Sequence, residues 1–234
     1  MARLHQIFIG CPFRPSIRKR YDRLKEEIER ETPLSVVLAD TTSIRSTESL
    51  LRHITDRIRE SAGCIFDVTG GNPNVSLEVG IAHALAVDFV LTLDTRRPGR
   101  AQASRGGRGK AVSAGAPASQ SSDARAIISD LQGRNRIEYK TYAGLRESLR
   151  ARYLARLPFL RRWHEFRRRN RAMEAQALQL LHEIRADGPV PQARVAALLD
   201  GSGVDARRFL DALSKAGLVA RERGRKGTIG IADH

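Results

Sequence analysis

The residues of this chain best equipped for chemistry are two carboxylates eleven positions apart, Asp67 and Glu78, with the run VTGGNPNVSL between them. Asn72 followed by Pro73 makes an N-cap and N1 pair, so a helix is expected to begin there and to hold Glu78 in its first or second turn. An acid so placed is favoured by the helix macrodipole whatever else it does, and Asp67 can equally cap its own loop, so both have a structural reading beside the catalytic one. Other chemistries are poorly provided for. Cys11 has no evident activating histidine, and Pro12 removes the next backbone donor. No grouping of His, Cys, Asp and Glu has metal-ligand spacing, and neither a Walker loop nor GxGxxG occurs, so no metal and no cofactor are expected. Two cysteines in 234 residues, Cys11 and Cys64, exclude a disulfide framework and a Cys-rich zinc site.

The elements that must position these carboxylates follow from periodicity. Short apolar runs at 6–10, 34–39, 64–67 and 89–93 alternate with helical stretches at 16–31, 47–60 and 73–86. This is the pattern of an α/β domain with a Rossmann or flavodoxin-like parallel sheet. Ile17, Tyr21, Leu24 and Ile28 are expected on the inner face of the first helix, and Leu50, Leu51, Ile54 and Ile58 on that of the second. Gly80, Ala82, Ala84 and Ala86 suit close packing of the third helix on the sheet. The pattern stops at 98–122, where Gly, Ser, Ala and Arg leave little to bury, and a disordered insertion is expected. A fifth strand at 136–140 and a helix at 143–157 complete a domain over residues 1–157.

Ligands of open parallel sheets bind beyond the carboxyl ends of the strands. The candidate binding residues are therefore Gly10, Cys11, Pro12, Phe13 and Arg14 after the first strand, Asp40 after the second, and Asn72 and Asn74 with Asp67 after the third. Asn72 has a structural role as helix cap as well. His83, five residues past Glu78, falls off the face that Glu78 occupies.

The run CIFDVTGGNPNVSLEVGIAHAL, together with the opening FIGCPF and the later DLQGRNRIEYKTY, resembles the nucleoside 2-deoxyribosyltransferase-like and TIR-like nucleotide-binding proteins of bacteria. The resemblance covers about 130 residues, interrupted at 98–122, and rests on Asp67, Asn74, Glu78 and Gly80. It implies cleavage of an N-glycosidic bond. Glu78 would act on the ribosyl anomeric carbon as nucleophile or oxocarbenium stabiliser, and Asp67 would bind sugar hydroxyls or help protonate the departing base. The loop from Cys11 to Arg14 would line the pocket, and Arg14 or Arg18 would meet a phosphate if the substrate is a nucleotide or NAD. NAD enters here as a substrate. Water as acceptor makes a hydrolase and a second base makes a transferase, and the sequence leaves both open.

The last third changes rhythm. Helices at 173–186, 192–199 and 205–216 precede two short strands around Gly224-Arg225-Lys226-Gly227, the order of a winged helix-turn-helix over residues 173–234. In that resemblance Arg207 and Arg208 open the recognition helix, and Arg221, Arg223, Arg225 and Lys226 lie on the wing to meet DNA or structured RNA. A protein-docking module with solvated charges is the other reading. The chain carries 41 Lys+Arg against 26 Asp+Glu, a net +15. Residues 99–171 hold 18 basic and 5 acidic side chains, so +13 of that total marks the insertion and the basic helical connector at 158–172 as the electrostatic contact with a polyanion.

No apolar run would span a bilayer, and the first residues do not read as a signal peptide, so a cytoplasmic protein with no membrane partner is expected. A glycosidase-like domain joined to a winged helix resembles toxic effectors of bacterial antiphage systems, retron-associated ones included. That implies regulation by the winged helix or a nucleic acid, a protein partner in a defence complex, and a homo-oligomer. The reading from another class is a regulator whose first domain binds a nucleotide without cleaving it. An RNA-binding scaffold is a third.

Overall fold

Alternation along the first strand divides the molecule into two layers. β1 (Arg3–Gly10) sends Ile7 and Ile9 into one apolar cluster and Phe8 into another. β3 (Ser61–Asp67) does the same with Ile65 against Cys64 and Phe66. Strands buried on both faces must be covered on both faces, which is what helical crossovers supply. The computed structural model describes residues 3–39, 47–96, 136–221 and 227–232. The insertion expected at 98–122, together with Asp40, Arg223, Arg225 and Lys226, lies outside these residues.

With β2 (Ser35–Leu38), β4 (Phe89–Asp94) and β5 (Arg136–Tyr139), the strands form one parallel sheet in the order β2-β1-β3-β4-β5. This is the flavodoxin-like order, and its winding reverses between β1 and β3. One face is covered by α1 (Pro15–Glu31) and α4 (Tyr142–Arg152), the other by α2 (Thr47–Arg59) and α3 (Pro73–Ala84). Ile17, Tyr21, Leu24 and Ile28 are all buried, as the spacing of α1 requires. On α2 the expectation fails at Leu51, which is 43% exposed. Consecutive residues of a helix point about 100° apart, so Leu50 and Leu51 cannot share one narrow inner face. Of the small residues expected to pack α3 on the sheet, only Ala82 lies in the core, beside Val75 and Val79. Gly80, Ala84 and Ala86 are exposed, and a Cβ on Gly80 would meet nothing within 4 Å. Gly80 therefore does not bring the helix close to the sheet.

α4 ends five residues earlier than the sequence suggests. Pro158 pushes Leu157 into an extended conformation (φ −60°, ψ 130°), and a short 3₁₀ turn, Leu154–Arg156, bridges to α5 (Pro158–Arg169). Close behind β3, Gly63 admits the Tyr153 phenol, whose OH donates to the Asp88 carbonyl at 3.0 Å. α5 is the basic stretch, and its apolar side is core: Phe159, Leu160, Trp163 and Phe166 are buried, with Trp163 stacked on Phe166 at 5.9 Å.

Beyond it come α6 (Glu174–Asp187), β6 (Val190–Pro191), α7 (Gln192–Leu199), α8 (Ala206–Lys215), β7 (Val219–Arg221) and β8 (Thr228–Ile231). The three strands form an antiparallel sheet in the order β6-β8-β7. The two-residue β6 was not apparent from the sequence, because Val190-Pro191 is too short to show a period. The apolar cluster that includes Ile7 and Leu24 continues without a break through Trp163 to Leu213 and Ile229. Polar clamps reinforce the junction. Arg185 donates to the carbonyls of Glu29 (3.2 Å) and Leu34 (2.6 Å), and His182 Nε2 lies 3.1 Å from the Thr32 carbonyl. Arg185 thus meets the carboxyl end of α1, where carbonyls lack helical partners and the macrodipole favours a cation. No helix among the described residues is long and apolar enough to cross a membrane.

Candidate functional site

The winding reversal places the ends of β1 and β3 side by side, with Gly10 in register with Phe66. Glu78, in the second turn of α3, lies directly above that pair. α3 begins where expected: the Asn72 side chain accepts from the N–H groups of Asn74 (2.9 Å) and Val75 (3.3 Å), and Pro73 fills N1. Before it, Gly70 (φ 78°) and Gly71 (φ 63°) are both left-handed, a turn that a pair of glycines makes without Cβ strain. Capping residues and glycines therefore fix the direction in which Glu78 projects.

The Glu78 carboxyl is 4% exposed, and its Oε2 has no hydrogen-bond partner. Burial pushes its pKa from 4.5 up to about 8, so in the free protein it keeps its proton at neutral pH. Room for it exists only because residue 10 is glycine. A Cβ there would lie 1.9 Å from Oε2 and 2.8 Å from the Phe66 ring. Gly10→Ala is therefore expected to expel the Glu78 carboxyl from its seat. In a crystal structure of the variant the Glu78 χ angles should change, and the pKa read from carboxyl chemical shifts should fall toward that of a solvated glutamate. An unmoved Glu78 would show that the backbone yields instead.

Asp67 is fully buried at the end of β3. One oxygen accepts from the Thr69 N–H at 2.8 Å, and the other accepts from the Tyr139 OH at 3.0 Å. Tyr139 in turn accepts from Arg20, which pairs with Asp94 at 3.0 Å. Beside them the hydroxyls of Tyr21 and Thr92 are 2.6 Å apart. Burial, reinforced by the Asp67 charge, raises both phenols above the ordinary tyrosine range, so they remain donors. Asp67 is thus tied into a wall built from β3, β4, β5 and α1.

Nothing in the sequence marks Tyr139, Arg20 or Thr92, and Tyr21 reads only as an inner-face residue of the first helix. Tyr139 lies 72 residues from Asp67, and only the neighbouring of β3, β4 and β5 brings it near. The available signal was the position of Tyr139 at the carboxyl end of a strand.

Cys11 is buried beside this wall, and its thiol is pushed up to about 12 by burial, partly offset by Arg18 and reinforced by the charges of Asp67 and Glu78. It is an inert thiol at neutral pH. Arg18 holds the Ala39 carbonyl at 2.9 Å and Asp22 at 3.0 Å, and so pins the end of β2. Pro12 is buried, Phe13 and Arg14 are exposed, and the Arg14 guanidinium lies over Gly70. Asn74 is exposed on the first turn of α3. Among the described residues no cluster of His, Cys, Asp and Glu could hold a metal ion.

Of the residues expected to meet nucleic acid, Arg207 and Arg208 are exposed at the start of α8, where Asp205 caps the helix, and Arg221 is exposed on β7. They lie apart from Glu78, in the C-terminal sheet-and-helix unit.

No family model and no curated protein matches this chain in sequence. Among solved structures it is similar to a 2-desoxiribosyltransferase from Leishmania mexicana, at 18% identity over 40% of this chain and 67% of that one, with a TM-score of 0.36. It is also similar to a conserved protein from Enterococcus faecalis V583, at 16% identity over 63% of this chain and 98% of that one, with a TM-score of 0.41. Both scores lie below 0.5, and the functional reading rests on the geometry of the site.

Proposed function

We propose that the chain cleaves the N-glycosidic bond of a nucleoside, nucleotide or NAD, with Glu78 acting at the anomeric carbon. The observation that carries this reading is the Glu78 carboxyl itself, buried and unpartnered at the switch point of a flavodoxin-like sheet. A buried polar oxygen without a partner is destabilising, and such strain is retained where a ligand makes use of it. As carboxylate, Glu78 attacks the anomeric carbon while the base departs with the bonding electrons: the cationic nicotinamide of NAD leaves neutral without a proton, whereas a purine or pyrimidine takes one from solvent. Water, or a second base, then displaces Glu78 from the sugar. Asp67, with no exposed atom, acts as a positioning residue: it holds the Thr69 turn and the Tyr139 OH, and so the wall against which the sugar rests.

The biological setting that suits this chemistry is a toxic effector. The order of α6, β6, α7, α8, β7 and β8 suits a winged helix as its regulatory module, with Arg207, Arg208 and Arg221 toward a nucleic acid. The exposure of those arginines equally favours the second reading, a nucleotide-sensing regulator that cleaves nothing.

Purified chain incubated with nucleosides, nucleotides and NAD should release free base, and Glu78→Gln should not. Because the attacking form is the carboxylate, kcat/KM should rise about tenfold per pH unit below about 8 and level off above it. A profile that falls through the same range would make Glu78 a proton donor. Equal inertness of both proteins on every substrate, with a nucleotide changing DNA affinity, would replace the enzyme by the regulator.

A further inference from the structure

Of the 18 basic side chains in residues 99–171, 12 lie in 136–171, against 3 acidic ones. The fold commits most of them. On α4, Arg146 pairs with Glu27 at 3.3 Å and Arg150 pairs with Glu31. On α5, Arg162 donates to the Gly217 carbonyl at 3.1 Å, Arg167 pairs with Glu174, and Arg169 pairs with Glu165 at 2.6 Å. Arg161, Arg168 and Arg171 are left over. All three are exposed, and among the described residues their guanidinium groups have no ion pair or hydrogen bond.

These three form a row. Arg161 and Arg168 are seven residues apart on α5, so they project within about 20° of each other and stand roughly 10 Å apart along the axis. Arg171 follows just past the helix end, in the 3₁₀ turn Arg171–Met173. His164 stands on the same side; burial and the neighbouring Arg167 lower its pKa below 6.5, so at neutral pH the row holds three charges. Glu165 is the single acid of α5, and Arg169 takes it. The opposite side of the helix is fixed in the core through Phe159, Trp163 and Phe166, which keeps the spacing of the cations without any ligand.

From this row we infer that the outer side of α5 binds the backbone of a double-stranded nucleic acid, through Arg161, Arg168 and Arg171 and without reading sequence. Uncompensated cations on a rigid helix suit a polyanion whose charge is regular, and contacts to phosphate alone carry no sequence information. A single strand is held by stacking bases on exposed aromatic rings, whereas Trp163 and Phe166 are buried. A bilayer surface takes up the apolar face of a helix, and that face of α5 is in the core. On α8, by contrast, Arg207 and Arg208 follow the carboxylate of Asp205 and share the helix with Asp211, so their charge is offset locally. DNA and RNA duplexes share the chemistry that α5 offers.

The test measures binding of the full chain to a DNA duplex of about 20 base pairs, to the RNA duplex of the same sequence and to the DNA single strand, by fluorescence anisotropy from about 50 to 200 mM salt. Three phosphate contacts contribute about 2.7 to the slope of log Kd against log salt, which is roughly 40-fold in affinity over that range. Replacing all three residues, Arg161→Gln, Arg168→Gln and Arg171→Gln, should make the duplex slope shallower by about that amount. The melting temperature should stay at the wild-type value, because none of the three is paired. Arg161→Lys, Arg168→Lys and Arg171→Lys together should keep the slope. Wild type should bind two unrelated duplex sequences with the same affinity, and its preference between the DNA and RNA duplexes identifies the source.

A glutamine triple variant with the wild-type slope overturns the proposal. So does a loss of slope confined to Arg207→Gln, Arg208→Gln and Arg221→Gln, which would put the duplex on the C-terminal sheet-and-helix unit instead. A single strand bound as tightly as the duplex would mean that bases are being stacked, and the duplex assignment falls. Vesicles rich in anionic lipid serve as the remaining probe. If they bind wild type but not the glutamine triple variant, while the duplex binds neither, the face belongs to a membrane surface and the proposal falls with it.

Discussion

Glu78→Gln should abolish base release and at the same time yield a chain that is more stable than wild type at alkaline pH. Loss of the group that forms the covalent bond lowers turnover by roughly 10³-fold or more. The stability gain follows from linkage. The Glu78 carboxyl has a pKa of about 8 in the folded chain against 4.5 for the free side chain, and burial without a cationic partner is the cause. Below pH 4.5 the group is protonated in both states, and the wild-type fold bears no charge there. As pH rises from 4.5 toward 8, the unfolded chain releases the proton and the folded chain keeps it, so stability falls by up to about 1.4 kcal/mol per unit. Above pH 8 the loss is complete.

Glutamine carries no such proton. The difference in unfolding free energy between Glu78→Gln and wild type should widen from pH 5 to pH 8 and then level off, reaching several kcal/mol by the same proportion. Denaturant titrations at pH 5, 7 and 9 measure it. A constant difference would mean that the carboxyl is hydrated or paired in solution, and the raised pKa on which the pH dependence of catalysis depends would go with it.

The second large effect is expected at Trp163, in the basic helix α5. Its ring is 1% exposed, stacks on Phe166, and lies beneath the Arg167 guanidinium at 6.0 Å. It belongs to the apolar cluster that runs from β1 and α1 into α6 and α8. Trp163→Ala should cost about 3 to 5 kcal/mol, the range for emptying a large aromatic site in a well-packed core. The indole N–H has no hydrogen-bond partner, so Trp163→Phe removes an unsatisfied donor along with some packing and should cost much less. Because the core is continuous across α5, Trp163→Ala should lower the stability of both sheets together. Hydrogen exchange would show this as an equal loss of protection in β3 and β8. Loss of protection in one sheet alone would mean that α5 belongs energetically to that half only.

Several parts of the site were legible before any fold was known, because their chemistry is local. Asn72-Pro73 announces the start of α3 through capping and a fixed φ, and that alone places Glu78 in the first or second turn; the fold has it in the second. The four inward positions of α1 follow from a period of 3.6 residues, and the same period sets His83 off the face of Glu78. The order of strands and helices needed only alternation of apolar runs. Where two readings share one period, the sequence was silent: Leu50 and Leu51 are adjacent apolar residues, and which of them faces the sheet depends on how α2 lies on it. Gly80 reads as a packing glycine, yet it faces outward, because small residues stand on more than one side of α3 and composition does not say which side meets the sheet.

The amino-acid sequence by itself determined the local directions: where each helix starts, which carboxylate rides on α3, that the chain holds two lone cysteines and no metal-ligand spacing, and that its excess charge is concentrated in residues 99–171. Tertiary structure alone decided the state of the site's groups. The strand order set Gly10 beneath Glu78, leaving the carboxyl dry and unpartnered, and it carried Tyr139 across 72 residues to occupy Asp67. The two acids looked alike in the sequence and differ in the fold for one physical reason. A carboxylate's behaviour is set by the water and donors around it, and these come from elements distant in the chain.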